Sequence, residues 1–204
     1  MFTASNLIYL IPVIFISLAI HESVHAYVAH ILGDDTAQNL GRLSFNPLKH
    51  TDLYTTIILP IVSILLIGFP VLMAKPVPLN PFKIKFGEYG AAIVAVAGPL
   101  SNLLIATIAG LLLRFFVFPY DIEKLLLIIT EINVIYFVFN MIPFPPLDGS
   151  RLLYALAPDG LQEVMTKIES YGYLTIFAIF FIVYRFGFGP IDYFYIHIVS
   201  FLVG

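Results

Sequence analysis

Residues 21–25 of this 204-residue chain read His21-Glu22-Ser23-Val24-His25. On an α-helix, positions four apart share a face one turn apart. Two imidazoles so placed can close on a single metal ion, normally zinc. Glu22 then lies beside the ion, positioned to take a proton from a water whose pKa the metal lowers to about 7. That combination is hydrolytic chemistry. The segment around it, from Leu7 to Leu32, is apolar, and an ionisable group inside such a helix is expensive enough to mark a functional site. The competing reading is a polar helix interface, with the histidines hydrogen-bonded across a bundle. It does not explain a carboxylate between them.

Two histidines leave a metal site incomplete, because catalytic zinc takes three protein ligands and keeps one position open. The chain has no cysteine, so the third ligand must be His, Asp or Glu. His30 is nine residues beyond His21, about 13 Å along the helix axis and too far for one ion. His50 falls in a polar loop, and His197 reads as a bundle or interface residue. Glu131 is flanked by Thr130 and Asn133 and can be satisfied by hydrogen bonds. Asp148 is the better candidate. It follows a hydrophobic helix in Asn140-Met-Ile-Pro143-Phe-Pro145-Pro146-Leu147-Asp148-Gly149. The prolines break the helix and can turn the chain inward, and Gly149 allows either a positive φ or a close backbone approach. An N-cap role for Asp148, ahead of a helix over Ser150–Ala157, competes with ligation.

The elements that must carry these groups are membrane helices. Sixty per cent of the residues are hydrophobic, 11% are charged, and the mean hydropathy is +0.96. A soluble domain carries roughly a quarter charged residues and cannot hide this much apolar surface. Ten Lys and Arg against thirteen Asp and Glu, with no basic run, exclude nucleic acid as a partner. A span needs about 20 apolar residues. Segments 7–32, 91–118, 122–142 and 171–184 read as membrane segments, 53–74 as one interrupted by Pro60, Gly68 and Pro70, and 191–203 as a short one. The expectation is an all-α polytopic membrane protein with five to six membrane segments, forming one domain over 1–204. The first segment follows six uncharged residues with no cleavage site and reads as a retained span.

Three motifs together resemble the site-2 proteases, intramembrane zinc metalloproteases. They are His21-Glu22-Ser-Val-His25-Ala26, then Gly98-Pro99-Leu-Ser-Asn102 opening a transmembrane helix, then Asn140-x-x-Pro143-x-Pro145-Pro146-Leu147-Asp148-Gly149. Their order and separation also agree, and they cover most of residues 17–152. Gly33-Asp-Asp-Thr36, Gly41-Arg-Leu43, Asn46-Pro47 and Ala74-Lys-Pro-Val-Pro-Leu-Asn80 look like a compact prokaryotic branch of that family. The resemblance implies that His21, His25 and Asp148 hold one Zn2+ and that Glu22 activates water. It also implies that Asn140 lies near the metal, where it can hydrogen-bond substrate or a developing oxyanion. The chain departs from many members in having neither a PDZ domain nor a regulatory C-terminal domain. Substrate choice, a gating partner and the oligomeric state are therefore left open.

If His21, His25 and Asp148 meet at one depth, the helices 7–32 and 122–142 run the same way and 91–118 runs against them. The 53–88 region then starts and ends on one side, as a re-entrant hairpin. The positive-inside rule agrees. Arg42, Lys49, Lys75, Lys83, Lys85, Arg151 and Lys167 all fall on the cytoplasmic face, against Arg114, Lys124 and Arg185 outside. Lys75, Pro76, Val77, Pro78, Leu79 and Asn80 cannot form regular helix, with prolines at 76, 78 and 81. Extended backbone there can pair with an unwound substrate; an ordinary proline-rich connector is the competing reading.

The expected activity is hydrolysis of peptide bonds in transmembrane protein substrates. The expected setting is a multi-pass protein of a prokaryotic plasma membrane, with lipid as its other partner and its site towards the cytoplasm. A membrane metal transporter and a non-catalytic scaffold are the alternatives. A transporter calls for polar groups through both halves of the bilayer, whereas here the strong cluster sits at one depth.

Overall fold

The computed structural model describes residues 4–49, 58, 78–186 and 189–204. Among these, every regular element is helical. The α-helices are α1 (Ala4–Ile31), α2 (Thr36–Asn39), α3 (Gly87–Phe115), α4 (Tyr120–Asn140), α5 (Gly149–Leu156), α6 (Asp159–Ser170), α7 (Tyr173–Phe186) and α8 (Gly189–Val203). The expected re-entrant stretch 53–74, apart from Ile58, lies outside the described residues, as do His50, Lys75, Pro76 and Val77.

Two of these helices are long and apolar enough to cross a membrane, α1 over Ile8–Ile31 and α3 over Gly87–Phe115. The expectation of five to six segments is met only to that extent among the described residues. The reason is visible in the others. Asp121, Glu123, Lys124 and Glu131 all fall within the 21 residues of α4, and α7 has 14 residues, about 21 Å against a hydrocarbon core of about 30 Å.

Helix α3 is the centre of the bundle, packed against α1, α4, α5 and α8. Its buried face is rich in small residues, including Gly90, Ala92, Ala95, Gly98, Ala106, Ala109 and Gly110. Where lipid is as apolar as the side chains, close backbone approach and dispersion hold helices together, and small residues permit that approach. A Cβ at Gly110 would come within 2.7 Å of Leu202 Cβ on α8, so this glycine sets the α3–α8 spacing. The sequence reading has Gly98-Pro99 open a helix. Instead the helix begins at Gly87 and runs through Pro99, which is fully buried. Proline inside a membrane helix is tolerated where neighbouring helices compensate for the lost backbone bond.

Cross-helix contacts give the directions. His25 meets Val94 and His21 meets Asn102, so α3 runs against α1. Tyr9 meets Asp121 and Ser17 meets Asn133, so α4 runs with α1. The chain therefore leaves α1 and re-enters α3 at the same end of the bundle, where the Lys85 N–H donates to Leu32 O at 2.8 Å.

That end is closed by a glycine stop. Gly33 has φ +103°; its N–H donates to His30 O and the Asp34 N–H to Ala29 O, the paired bonds of a Schellman motif. Asp34 is thereby turned inward and buried. Its carboxylate accepts from Thr36 N–H at 3.0 Å, from the Thr36 hydroxyl at 2.5 Å and from Asn80 N–H at 2.6 Å. Burial pushes the carboxyl up, but these bonds and Lys83 outweigh it and leave the pKa below the ordinary value of 3.8. A lowered native pKa means the unfolded chain binds the proton more readily. The contribution of Asp34 is thus complete above the ordinary aspartate value and lost as the pH falls through the lower native one. We expect the exchange protection of the Asn80 amide, relative to its intrinsic rate at each pH, to fall in acid in the wild type and to lose that pH dependence in Asp34→Asn.

Candidate metal centre

His21 and His25 project from one face of α1 into the space between α1, α3 and the start of α5. Both are buried, with Glu22 half-buried on the turn between them. Their rings meet edge to face, 4.6 Å between centroids. Asp148 precedes α5, and its carboxylate reaches the same point. Asp148 Oδ2 lies 3.1 Å from His21 Nε2 and 3.4 Å from His25 Nε2, and the two Nε2 atoms are 3.0 Å apart. Ligand atoms on a tetrahedral ion with bonds of 2.0–2.1 Å stand about 3.3 Å from one another. The triangle therefore has the dimensions of three corners around one ion.

The hydrogen bonds say which atoms are available. His25 Nδ1 lies 2.8 Å from Val94 O. A carbonyl only accepts, so Nδ1 carries the proton and the neutral ring turns the Nε2 lone pair to the centre. His21 Nδ1 lies 2.6 Å from Asn102 Oδ1, with the same consequence. Asp148 Oδ2 is buried without a hydrogen-bond partner among the described residues. Two imine nitrogens and an unpartnered carboxylate oxygen crowded together repel one another unless a cation lies among them. The donor set thus fits a divalent ion, and nitrogen and oxygen ligands suit zinc.

Local sequence explains each placement. Asp148 occupies the position before the first turn of α5, yet its side chain makes no capping bond; it points to the histidines instead. The competing N-cap role thus matches its backbone position but not its side chain. Gly149 makes the turn possible. A Cβ there would lie 2.4 Å from Met141 O and 2.8 Å from Ile142 O, so only glycine lets the proline loop fold back on the end of α4. Gly98 does the same for the imidazoles: a Cβ would stand 2.3 Å from His25 Nε2 and 2.9 Å from His21 Cε1.

The other sequence candidates separate cleanly. Asn140 ends α4, and its amide donates to Tyr136 O at 3.0 Å. Asn80 has extended backbone, its N–H is taken by Asp34, and its side chain accepts from Phe82 N–H to cap a 3-10 turn. Pro78 and Leu79 precede it in irregular backbone. His30 pairs with Asp35 at 2.7 Å on the exposed side of α1, and His197 bonds Tyr193 O on an exposed face of α8. Neither joins the cluster, and Glu131 remains half-buried on α4.

Sequence reasoning assigned no role here to Gly98, Asn102, Asn133 or Ser17. Asn102 Nδ2 donates to Asn133 Oδ1 at 2.8 Å, and Asn133 Nδ2 donates to Ser17 Oγ at 2.9 Å. The available signal was spacing. Ser17 and His21 are four apart on α1, and Gly98 and Asn102 are four apart on α3, so each pair shares a face.

The chain is similar to curated proteins from two bacteria. A Bacillus subtilis (strain 168) protein named "Putative zinc metalloprotease YwhC" is 38% identical over 182 residues, covering 84% of this chain and 80% of that protein. A Mycolicibacterium smegmatis protein named "Putative zinc metalloprotease Rip2" is 30% identical over 164 residues, covering 78% of this chain and 61% of that protein. No family model matches the chain, and no solved structure matches it.

Proposed function

Since the chain belongs to the site-2 protease family of zinc metalloproteases, we propose that it hydrolyses peptide bonds of transmembrane substrates within the bilayer. The observation that carries this reading is where the ligand triangle sits. His21 is ten residues inside the Ile31 end of the apolar span Ile8–Ile31, about 15 Å along the axis. Its neighbours come from the other membrane-length helix. A hydrolytic centre at that depth meets polypeptide in the membrane.

His21, His25 and Asp148 hold the ion in this reading, and Zn2+ supplies Lewis acidity towards a carbonyl oxygen and water. Glu22 removes the proton from the attacking water and returns it to the leaving amine, acting first as general base and then as general acid. The second N–H of the Asn140 amide, beyond the one given to Tyr136, supports the developing oxyanion. A substrate helix unwinds locally, because its own hydrogen bonds shield its peptide groups. The edge it pairs with is Lys75–Asn80. The Asn80 N–H is committed to Asp34 and does not serve that edge.

The same reading takes residues 1–204 as one domain of five to six membrane segments, with 53–74 re-entrant. It places the protein in a prokaryotic plasma membrane with its centre towards the cytoplasm, the side to which α1, α3 and the basic residues Arg42, Lys49, Lys83 and Lys85 converge.

The test is cleavage of a transmembrane peptide by the purified protein in proteoliposomes. Stripping the metal with a chelator is expected to abolish cleavage, and one zinc per chain to restore it. Cleavage indifferent to metal, or confined to soluble peptides, would refute the proposal.

A further inference from the structure

Three buried side chains on three helices form a line into His21. Asn133 on α4 gives its amide N–H groups to Ile129 O at 2.8 Å and to Ser17 Oγ at 2.9 Å. Ile129 O is a backbone carbonyl and can only accept. This fixes which end of the Asn133 amide faces it, and leaves Asn133 Oδ1 to accept from Asn102 Nδ2 at 2.8 Å. Asn102 Nδ2 also faces a second carbonyl, Ser17 O, at 3.4 Å. The Asn102 amide is thus turned so that its oxygen, and not its nitrogen, meets His21 Nδ1 at 2.6 Å. Asn102 and Asn133 are fully buried, so a lost partner is costly to either amide.

We infer that Asn133 is a positioning residue: through Asn102 it holds the proton of His21 on Nδ1 and aims Nε2 at the metal. His25 needs no such relay, because Val94 O contacts its Nδ1 directly. An asparagine amide can rotate end for end, whereas a backbone carbonyl cannot. Without Asn133 the Asn102 amide keeps only the long 3.4 Å contact with Ser17 O, too weak to hold it against turning its NH2 to His21, which would favour the wrong ring nitrogen for ligation. The inference rests on the metalloprotease reading for its purpose, but its geometry and its test do not.

The experiment compares the imidazole Nδ1–H protons of His21 and His25 by nuclear magnetic resonance in the protein with and without added zinc, alongside zinc affinity measured by chelator competition. In Asn133→Leu, exchange of the His21 proton is expected to accelerate at least tenfold and zinc affinity to fall about tenfold, at the lower end of outer-shell effects. The His25 proton should stay protected. Asn102→Asp, whose carboxylate accepts from His21 whichever way it turns, should restore both properties in the Asn133→Leu background. Unchanged His21 exchange and affinity would overturn the inference. So would loss of both protons together without rescue, which would make Asn133 a packing residue. If the wild type takes up no zinc, the proposed function falls, while the exchange contrast between the two histidines still decides the relay.

Discussion

Glu22→Gln is expected to abolish proteolysis while leaving one zinc per chain. Glutamine keeps the size and shape of the side chain but cannot accept a proton at neutral pH. General acid–base catalysis contributes about 10²–10⁴-fold, and in the proposed mechanism one carboxylate serves both proton transfers. The loss in kcat should therefore reach roughly 10⁴-fold. Zinc should stay, because the ligand triangle is made by His21, His25 and Asp148. Single-turnover cleavage of a bilayer-embedded peptide, with metal content measured on the same preparation, reads both quantities. The contrast also separates the alternatives. A transporter using these histidines as a transit site would keep moving metal in Glu22→Gln, and a scaffold would be indifferent to it. Residual cleavage within tenfold of the wild type would remove Glu22 from the chemistry.

Gly98→Ala should cost the protein its metal, although residue 98 can ligate nothing. The added methyl would lie 2.3 Å from His25 Nε2 and 2.4 Å from His25 Cε1, where ordinary contact needs well over 3 Å. Moving the ring by about 1 Å exceeds the tolerance of roughly 0.2 Å in metal–ligand distances. Moving α3 instead would break the Val94 and Asn102 bonds that orient both imidazoles. Overpacking of this kind costs about 1–3 kcal/mol, so the variant should still fold, with a lowered thermal midpoint and no stoichiometric zinc. Full zinc occupancy in Gly98→Ala would mean that α3 does not approach α1 as closely as described.

Much of the centre was legible in the chain. Helical periodicity pairs His21 with His25; in a protein without cysteine, Asp148 reads as a better third ligand than His30, His50, His197 or Glu131, with an N-cap role still competing, and the family resemblance is what implies the full set. The proline run ahead of Asp148 announces a turn. The glycines were only half legible. Of the two readings of Gly149, positive φ or a close approach, the structure shows the close approach, to Met141 and Ile142, and no positive φ. Gly98 was seen only as part of a motif placed at a helix start. Its function depends on which helix lies opposite, and periodicity within one helix carries no such information. Asn140 was singled out, whereas Asn102 and Asn133 are the asparagines bonded in line to His21. The number of spans was also less legible than hydropathy suggests, since charges in α4 and the shortness of α7 blur the distinction between a span and a packed helix.

By itself, then, the sequence determined the chemistry available: a helix face with two imidazoles and a carboxylate between them, a distant aspartate behind a proline turn, and too much apolar surface for water. Tertiary structure alone decided the rest. It brought α3 close enough for the Val94 carbonyl and the Asn102 amide to choose a nitrogen on each ring. The physical reason is that spacing along one helix fixes which side chains share a face. The proton position on a buried imidazole depends instead on the partner that another helix presents.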